Sequence, residues 1–270
     1  MKKKVLAVLL GGCMVAGLVA GCGSKDGGDT SDGGDSADSG SSYHFEVVVK
    51  SFQSTYWQAA IQGIDAAVEE LGVTVNTTGP NAESDIADQV NMLNNAISQN
   101  PDGIALAAND QSAVIDSLKD ALDAEIPVVC FDTGVPDAPE GSVIATIATD
   151  NEAAGAVAAE NMYEVIKDTI ANATEQVRIG EVNQDATSAN ISGRGMGFIN
   201  KMKELIEADG KTVAVIGNQY YVDQVENNGD EGSADVIIEV AVPAQTTVEL
   251  SATEASNIMN KEDTIAIFGS

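Results

Sequence analysis

FEVVVKSFQSTYWQAAIQGIDAAVEELGVTVNTT, residues 45–78, carries the two periodicities that decide the fold. FEVVV is a β-branched run, the composition of a strand. Trp57, Ile61, Ile64, Val68 and Leu71 then recur at intervals of four and three, which is one face of a helix. VTVNTT is a second strand. Strand, helix and strand in that order make a βαβ unit with parallel strands. The junction Lys50–Gly63 also poses a chemical question. In nucleotide-binding α/β proteins it is crowded with glycine, because backbone must press against phosphate. Here no glycine lies between Gly40 and Gly63, and the single tryptophan, Trp57, stands beside Tyr56.

The alternation continues. Ile86, Val90, Leu93 and Ile97 mark a second helix, GIALAA a third strand, Val114, Leu118 and Leu122 a third helix, and IPVVCF a fourth strand. SVIATIAT is one more strand. The cycle restarts with a helix from about Asn151 to Ile170, then VRIGEV, a helix from about Ser192 to Ala208, and TVAVIG. ADVIIEVAV, a helix from about Thr247 to Met259 and TIAIFG follow. The strands are near-continuous apolar runs, as expected of parallel strands covered on both faces. Two βα sheets joined near Thr149–Asp150 are predicted. The polar stretch 218–233 reads as a solvated loop, since its acids do not fit the alternating spacing of a calcium loop.

Ahead of this region, residues 1–22 read as an export signal: Lys2, Lys3 and Lys4, an apolar run Val5–Ala20, then VAGC ending at Cys22. Residues 23–42 are almost purely Gly, Ser, Asp, Lys and Thr, which reads as a flexible tether. The folded part is expected as an N-terminal lobe over 43–149 and a C-terminal lobe over 150–270. Ser270 directly follows an apolar strand with no helix to cover it, so the second lobe reads as incomplete.

Composition excludes several functions. With 13 basic and 42 acidic residues the net charge is −29, and two arginines, Arg178 and Arg194, form no basic patch for nucleic acid. One histidine, His44, permits neither a zinc or copper site nor a Ser-His-Asp or Cys-His set. Cys130, inside IPVVCFD, reads as a buried small hydrophobe. No GxxxxGK occurs, and GRGMG (193–197) lies at a helix start. No metal, no cofactor and no catalytic residue is expected.

Ligands of open parallel sheets bind beyond the carboxyl ends of the strands. Those ends are SFQSTYW, AAND with Asn109, FDTG, and EVNQDATS followed by SGRGMGF. Phe52, Tyr56, Trp57, Phe131 and Asp132 thus share one rim, and Arg194 is expected to face them from the second half. Arg178, inside a strand, reads as a surface or edge residue. Aromatic faces, a carboxylate and a guanidinium suit a monosaccharide, whose C–H faces stack on π systems while its hydroxyls meet fixed partners. Each residue has a plainer alternative. Trp57 also lies on the apolar helix face and fits core packing, Asp132 fits a turn, and Arg194 fits a helix-start surface charge.

Several ordered blocks, YWQAAIQGIDAAVEELGV, DQVNMLNNAISQNPDGIALAANDQSAV, AEIPVVCFDTGVP, ATDNEAAGAVAAENM, SGRGMGF and TIAIFGS, resemble the sugar-binding lipoproteins of ABC transporters in the type I periplasmic-binding-protein superfamily that includes ribose-binding protein. The resemblance covers about residues 45–270. VAGC likewise resembles a lipobox, which implies lipidation at Cys22. It implies two Rossmann-like lobes joined by a hinge, closing on a ligand. Tyr56 and Trp57 match the aromatic pair that sandwiches the sugar, Asp132 the acid that takes paired hydroxyls, and Arg194 the arginine of the R-x-x-G-F pattern. Ser54 stands where ribose binders carry an asparagine and Thr133 where they carry an arginine, and both departures count against ribose itself. The implied protein is a non-enzymatic, monomeric receptor on the outer face of the cell membrane, with a permease and its ATPase as partners. The rivals are a sensory receptor of the same fold and a cell-surface carbohydrate-active enzyme.

Overall fold

A computed structural model describes residues 43–270, so the signal segment, the tether and Cys22 lie outside the described residues. The first half runs β1 (His44–Val48), α1 (Thr55–Leu71), β2 (Thr74–Thr78), α2 (Ile86–Ser98), β3 (Gly103–Leu106), α3 (Ile115–Asp123), β4 (Val128–Phe131) and β5 (Val143–Ile147). Its five strands form one sheet in the order β2-β1-β3-β4-β5, every neighbouring pair parallel. The second half runs α4 (Asn151–Asn172), β6 (Val177–Val182), α5 (Ala189–Ala208), β7 (Val213–Gly217), α6 (Gln219–Gln224), β8 (Val236–Ala241), α7 (Val248–Met259) and β9 (Thr264–Gly269). Its sheet, β7-β8-β6-β9, is also parallel throughout. The α/β class with two parallel sheets therefore stands.

Each core follows from the periodicities. Val48, Leu106, Val128 and Cys130 pack under Leu93 and Leu118 of α2 and α3, while Val47, Val49 and Ala107 pack under Trp57 of α1. Burial pushes the Cys130 thiol up to about 11, so it stays a protonated small hydrophobe at neutral pH. The expected double cover holds only in part. Beside α1 an apolar groove of about 340 Å3 remains, lined by Val47, Val68, Val129 and Ile144 among others. Ile144 and Ile147 of the edge strand β5 are exposed.

Two expectations are corrected. Arg178 is buried in β6, an inner strand, where its guanidinium binds Glu239 of β8 at 2.7 Å and Asp263 at 3.0 Å. Its burial is tolerated because two carboxylates from distant positions meet it. The stretch 218–233 is not wholly a solvated loop: it opens with α6, capped by the Asn218 side chain, and Tyr221 is fully buried with its hydroxyl donating to Asp185 O at 2.9 Å.

GRGMG serves helix packing. A Cβ on Gly155 of α4 would collide with the backbone of Arg194, and one on Gly197 with the backbone of Glu152, so the α4–α5 contact depends on bare backbone on both helices. Gly197→Ala is expected to cost about 1–3 kcal/mol or more by overpacking, read from the urea midpoint at unchanged m.

Beneath α5, Glu181 of β6 is fully buried, and Asn183 Nδ2 donates to its Oε1 at 2.6 Å. Burial pushes this carboxyl well above the usual carboxylate range, against the pull of the Asn183 bond. A raised folded value means that the stabilisation is complete below the unfolded value near ~4.3 and is lost as pH rises through the folded one. Urea titrations between about pH 5 and 8 are therefore expected to show wild type losing stability relative to Glu181→Gln as pH rises. A parallel course of the two proteins would remove the claim.

Candidate functional site

β1 lies between β2 and β3, so the connections leaving β1 and β3 diverge to opposite sides of it and open a crevice at their carboxyl ends. The second sheet offers the matching ends of β6 and β9. Chain leaving β1 is shaped by Ser51, whose Oγ accepts from Gln53 N at 3.1 Å and donates to Asn81 O at 2.6 Å. That turn delivers Ser54 as the N-cap of α1, with no cap bond from its side chain. Ser54 lines a cavity of about 420 Å3 shared with Glu83, Gln184 and Thr246.

Tyr56 and Trp57 then diverge. Tyr56 is 59% exposed and Trp57 2% exposed, their rings meeting edge-on at 5.0 Å. Trp57 also stands edge-on to Phe131 at 6.0 Å and packs on the sheet, the core position its helix face allowed. Its Nε1 donates to Glu83 at 2.9 Å. Tyr56 Oη donates to Asp132 Oδ1 at 2.7 Å. Asp132 follows β4 at φ 62, a left-handed conformation in a non-glycine residue at the rim. Thr133 is fully buried, with its hydroxyl bonded to Asp132 Oδ2 at 3.1 Å.

The second half reaches Asp132 with Asn190 rather than Arg194. Asn190 Nδ2 donates to Asp132 Oδ2 at 3.2 Å, and its Oδ1 accepts from Lys50 Nζ at 3.4 Å. Arg194 stays on its own side, donating to Asn151 Oδ1 at 2.6 Å and Ser270 Oγ at 3.4 Å. Asn109 is buried and turned into the floor: its Nδ2 donates to Lys50 O at 3.1 Å, while Gln89 holds its N and Oδ1. Gln89 also bonds Val49 O and Ala107 O, locking the ends of β1 and β3 together. Further bonds cross between halves: Gln184 Nε2 to Glu83 at 2.7 Å, Thr187 Oγ1 to Asn109 O at 3.2 Å, and Gln111 N to Thr187 O at 3.1 Å.

The structure thus brings Tyr56, Asp132 and Thr133 together, sets Ser54 in the cavity with Glu83 and Gln184, and gives Asn109 and Arg194 other partners. Lys50, Glu83, Gln184 and Asn190 were not singled out from sequence. Gln184 stands in the quoted strand end EVNQDATS, and Lys50, closing the run VVVK, was a usable signal. Glu83 and Asn190 carried none. Among the described residues no group of histidine, cysteine and carboxylate side chains is placed to hold a metal ion.

Two parallel α/β halves whose strand ends face one another across a polar crevice define a two-lobed binding-protein architecture. The chain belongs to the periplasmic binding protein domain family, which matches residues 45–268. It is 24% identical over 225 residues to the ABC transporter periplasmic-binding protein YphF of Escherichia coli (strain K12), covering 80% of this chain and 64% of that one. Among solved structures it resembles an ABC transporter, LacI family transcriptional regulator from Brachyspira murdochii, at 31% identity and TM-score 0.64, covering 84% of this chain and 65% of that one. It also resembles an ABC transporter solute-binding protein from Agrobacterium vitis with bound D-fucose, at 25% identity and TM-score 0.53, covering 83% and 92%. The chain thus spans just under two thirds of the first two relatives' length. No helix among the described residues is long and apolar enough to cross a membrane.

The hydrogen bond to Asp132, with burial second, pushes the Tyr56 phenol up to about 12, so Tyr56 remains a donor throughout the physiological range. Asp132→Asn is expected to bring the Tyr56 titration down toward ~10, followed by NMR of isotope-labelled tyrosine rings. An unchanged Tyr56 titration would show that the bond does not form in solution.

Proposed function

We propose that this chain is the extracytoplasmic solute receptor of an ABC transporter and that it binds a monosaccharide between its two halves. The observation that carries the reading is the Tyr56–Asp132–Asn190 chain of hydrogen bonds, at 2.7 and 3.2 Å, running across the crevice beside an exposed aromatic face. A sugar offers what such a chain exchanges: adjacent hydroxyls that donate to both carboxylate oxygens, and a C–H face for the ring. The D-fucose carried by the Agrobacterium vitis relative supports the same class of ligand.

In this reading ligand contacts both halves and so favours the closed arrangement, which a membrane permease then recognises. Arg194 and Ser54 enter contact with ligand when sugar displaces the present bonds, and Trp57 acts as a buried support for Tyr56. Export, lipidation at Cys22, monomeric state, unaltered release of the solute and partnership with a permease and its ATPase belong to the same proposal.

A panel of pentoses, hexoses and small polyols, including D-fucose, D-arabinose and D-galactose, tests it through the emission of Trp57, the single tryptophan. At least one sugar is expected to change that emission saturably, and Asp132→Ala is expected to weaken it by about ten- to a hundredfold, the worth of hydrogen bonds to a charged group. Silence across the whole panel, also by calorimetry, would end the sugar assignment.

A further inference from the structure

We propose that Glu83 is a positioning residue that couples the setting of Trp57 to closure of the two halves; the proposal rests on the reading of the crevice as the ligand site. Glu83 lies in the loop between β2 and α2, 26 positions from Trp57 and 101 from Gln184 in sequence. Its two oxygens are divided between two tasks. Oε1 accepts from the buried indole Nε1 at 2.9 Å, on the first half. Oε2 accepts from Gln184 Nε2 of the second half at 2.7 Å and faces Lys50 Nζ at 3.4 Å.

Neither donor on the first half tolerates loss of this carboxylate. Trp57 is 2% exposed, and a buried indole N–H without an acceptor keeps its full desolvation cost. The Lys50 side chain is 2% exposed, and a buried ammonium needs an opposite charge within reach. Lys50 in turn reaches Asn190, the residue that binds Asp132, so the same carboxylate also braces the second bridge across the crevice. When the halves part, Gln184 and Asn190 withdraw. Oε2 then faces water through the cavity of about 420 Å3 that Glu83 lines, and the carboxylate is held by Trp57 and Lys50 alone. The indole, packed edge-on against Tyr56 at 5.0 Å, carries that change to the exposed ring of the crevice.

A carboxylate is required here and an amide of the same shape is not a substitute. Glutamate presents two acceptors, and both meet donors. Glutamine presents one acceptor and one donor, so whichever way the amide turns, an N–H group faces either the indole N–H or the Lys50 ammonium, neither of which accepts, although the Gln184 amide can turn to present its oxygen. Glu83→Gln therefore weakens one arm while preserving volume, Glu83→Met removes both, and Gln184→Ala removes only the cross-half arm.

The test uses the full-length chain without ligand and reads two signals. Trp57 emission reports the indole setting, and protection of the Gln111 amide, which donates to Thr187 O across the crevice at 3.1 Å, reports closure. Gln184→Ala is expected to speed Gln111 exchange by about tenfold or more and to shift Trp57 emission in the same direction as Glu83→Gln. In Glu83→Met, which leaves no polar partner for Gln184, the added Gln184→Ala change is expected to have little further effect on either signal. Two results would overturn the proposal: Gln184→Ala leaving Trp57 emission as in wild type while Gln111 exchange rises, or the two substitutions adding independently. Both readouts stand even if no sugar of the panel binds, so a failure of the ligand assignment is separable. Addition of D-galactose then provides the second arm, in which a responding wild type is expected to release the sugar about ten- to a hundredfold more slowly than Glu83→Gln.

Discussion

Parallel strands point their carboxyl ends the same way, and this constraint organises everything that surrounds the crevice. Chain leaving β1 and β3 must turn away from the sheet without a hydrogen-bonded neighbour to continue the ladder. The freed polar groups are taken up by side chains: Gln89 gathers Val49 O, Ala107 O and Asn109, and Asn109 takes Lys50 O. That buried amide pair makes a rigid floor from backbone that would otherwise be unsatisfied. On such a floor the side chains of Lys50, Trp57 and Asp132 are set in fixed directions, a precondition for a site that discriminates among ligands.

Much of this was legible because its signals are local. The runs FEVVV and GIALAA, and the spacing of Trp57 to Leu71, report burial faces that do not depend on remote partners, and the elements appear where those periods place them. The rule that ligands sit beyond strand ends points to Tyr56 and Asp132 for the same reason, and the two are hydrogen-bonded at the crevice rim. Side-chain direction was not legible. Asn109 turns into the floor because Gln89 is there, and Arg194 turns toward Asn151 because α4 begins beside it. Arg178 looked like an edge residue since Glu239 and Asp263, which make its burial tolerable, lie 61 and 85 positions away. In the stretch 218–233 two buried residues, Tyr221 and Val225, standing among polar ones make too short a pattern to read.

The distribution of charge across the crevice gives closure its character. The charged groups that hydrogen-bond across it, Lys50, Glu83 and Asp132, come from the first half, whereas the second half meets them with the neutral amides of Gln184 and Asn190. A bridge of opposite charges would demand desolvation of both partners on closing, and removal of one would strand the other. A bridge of charge to amide exchanges water on one charge for a hydrogen bond, a modest net gain offset by the ordering of the side chains that make it. Bonds of that size favour the closed arrangement only slightly by themselves. Under the proposed function they leave the decision to a ligand that contacts both sides, which is what a receptor that must also reopen requires.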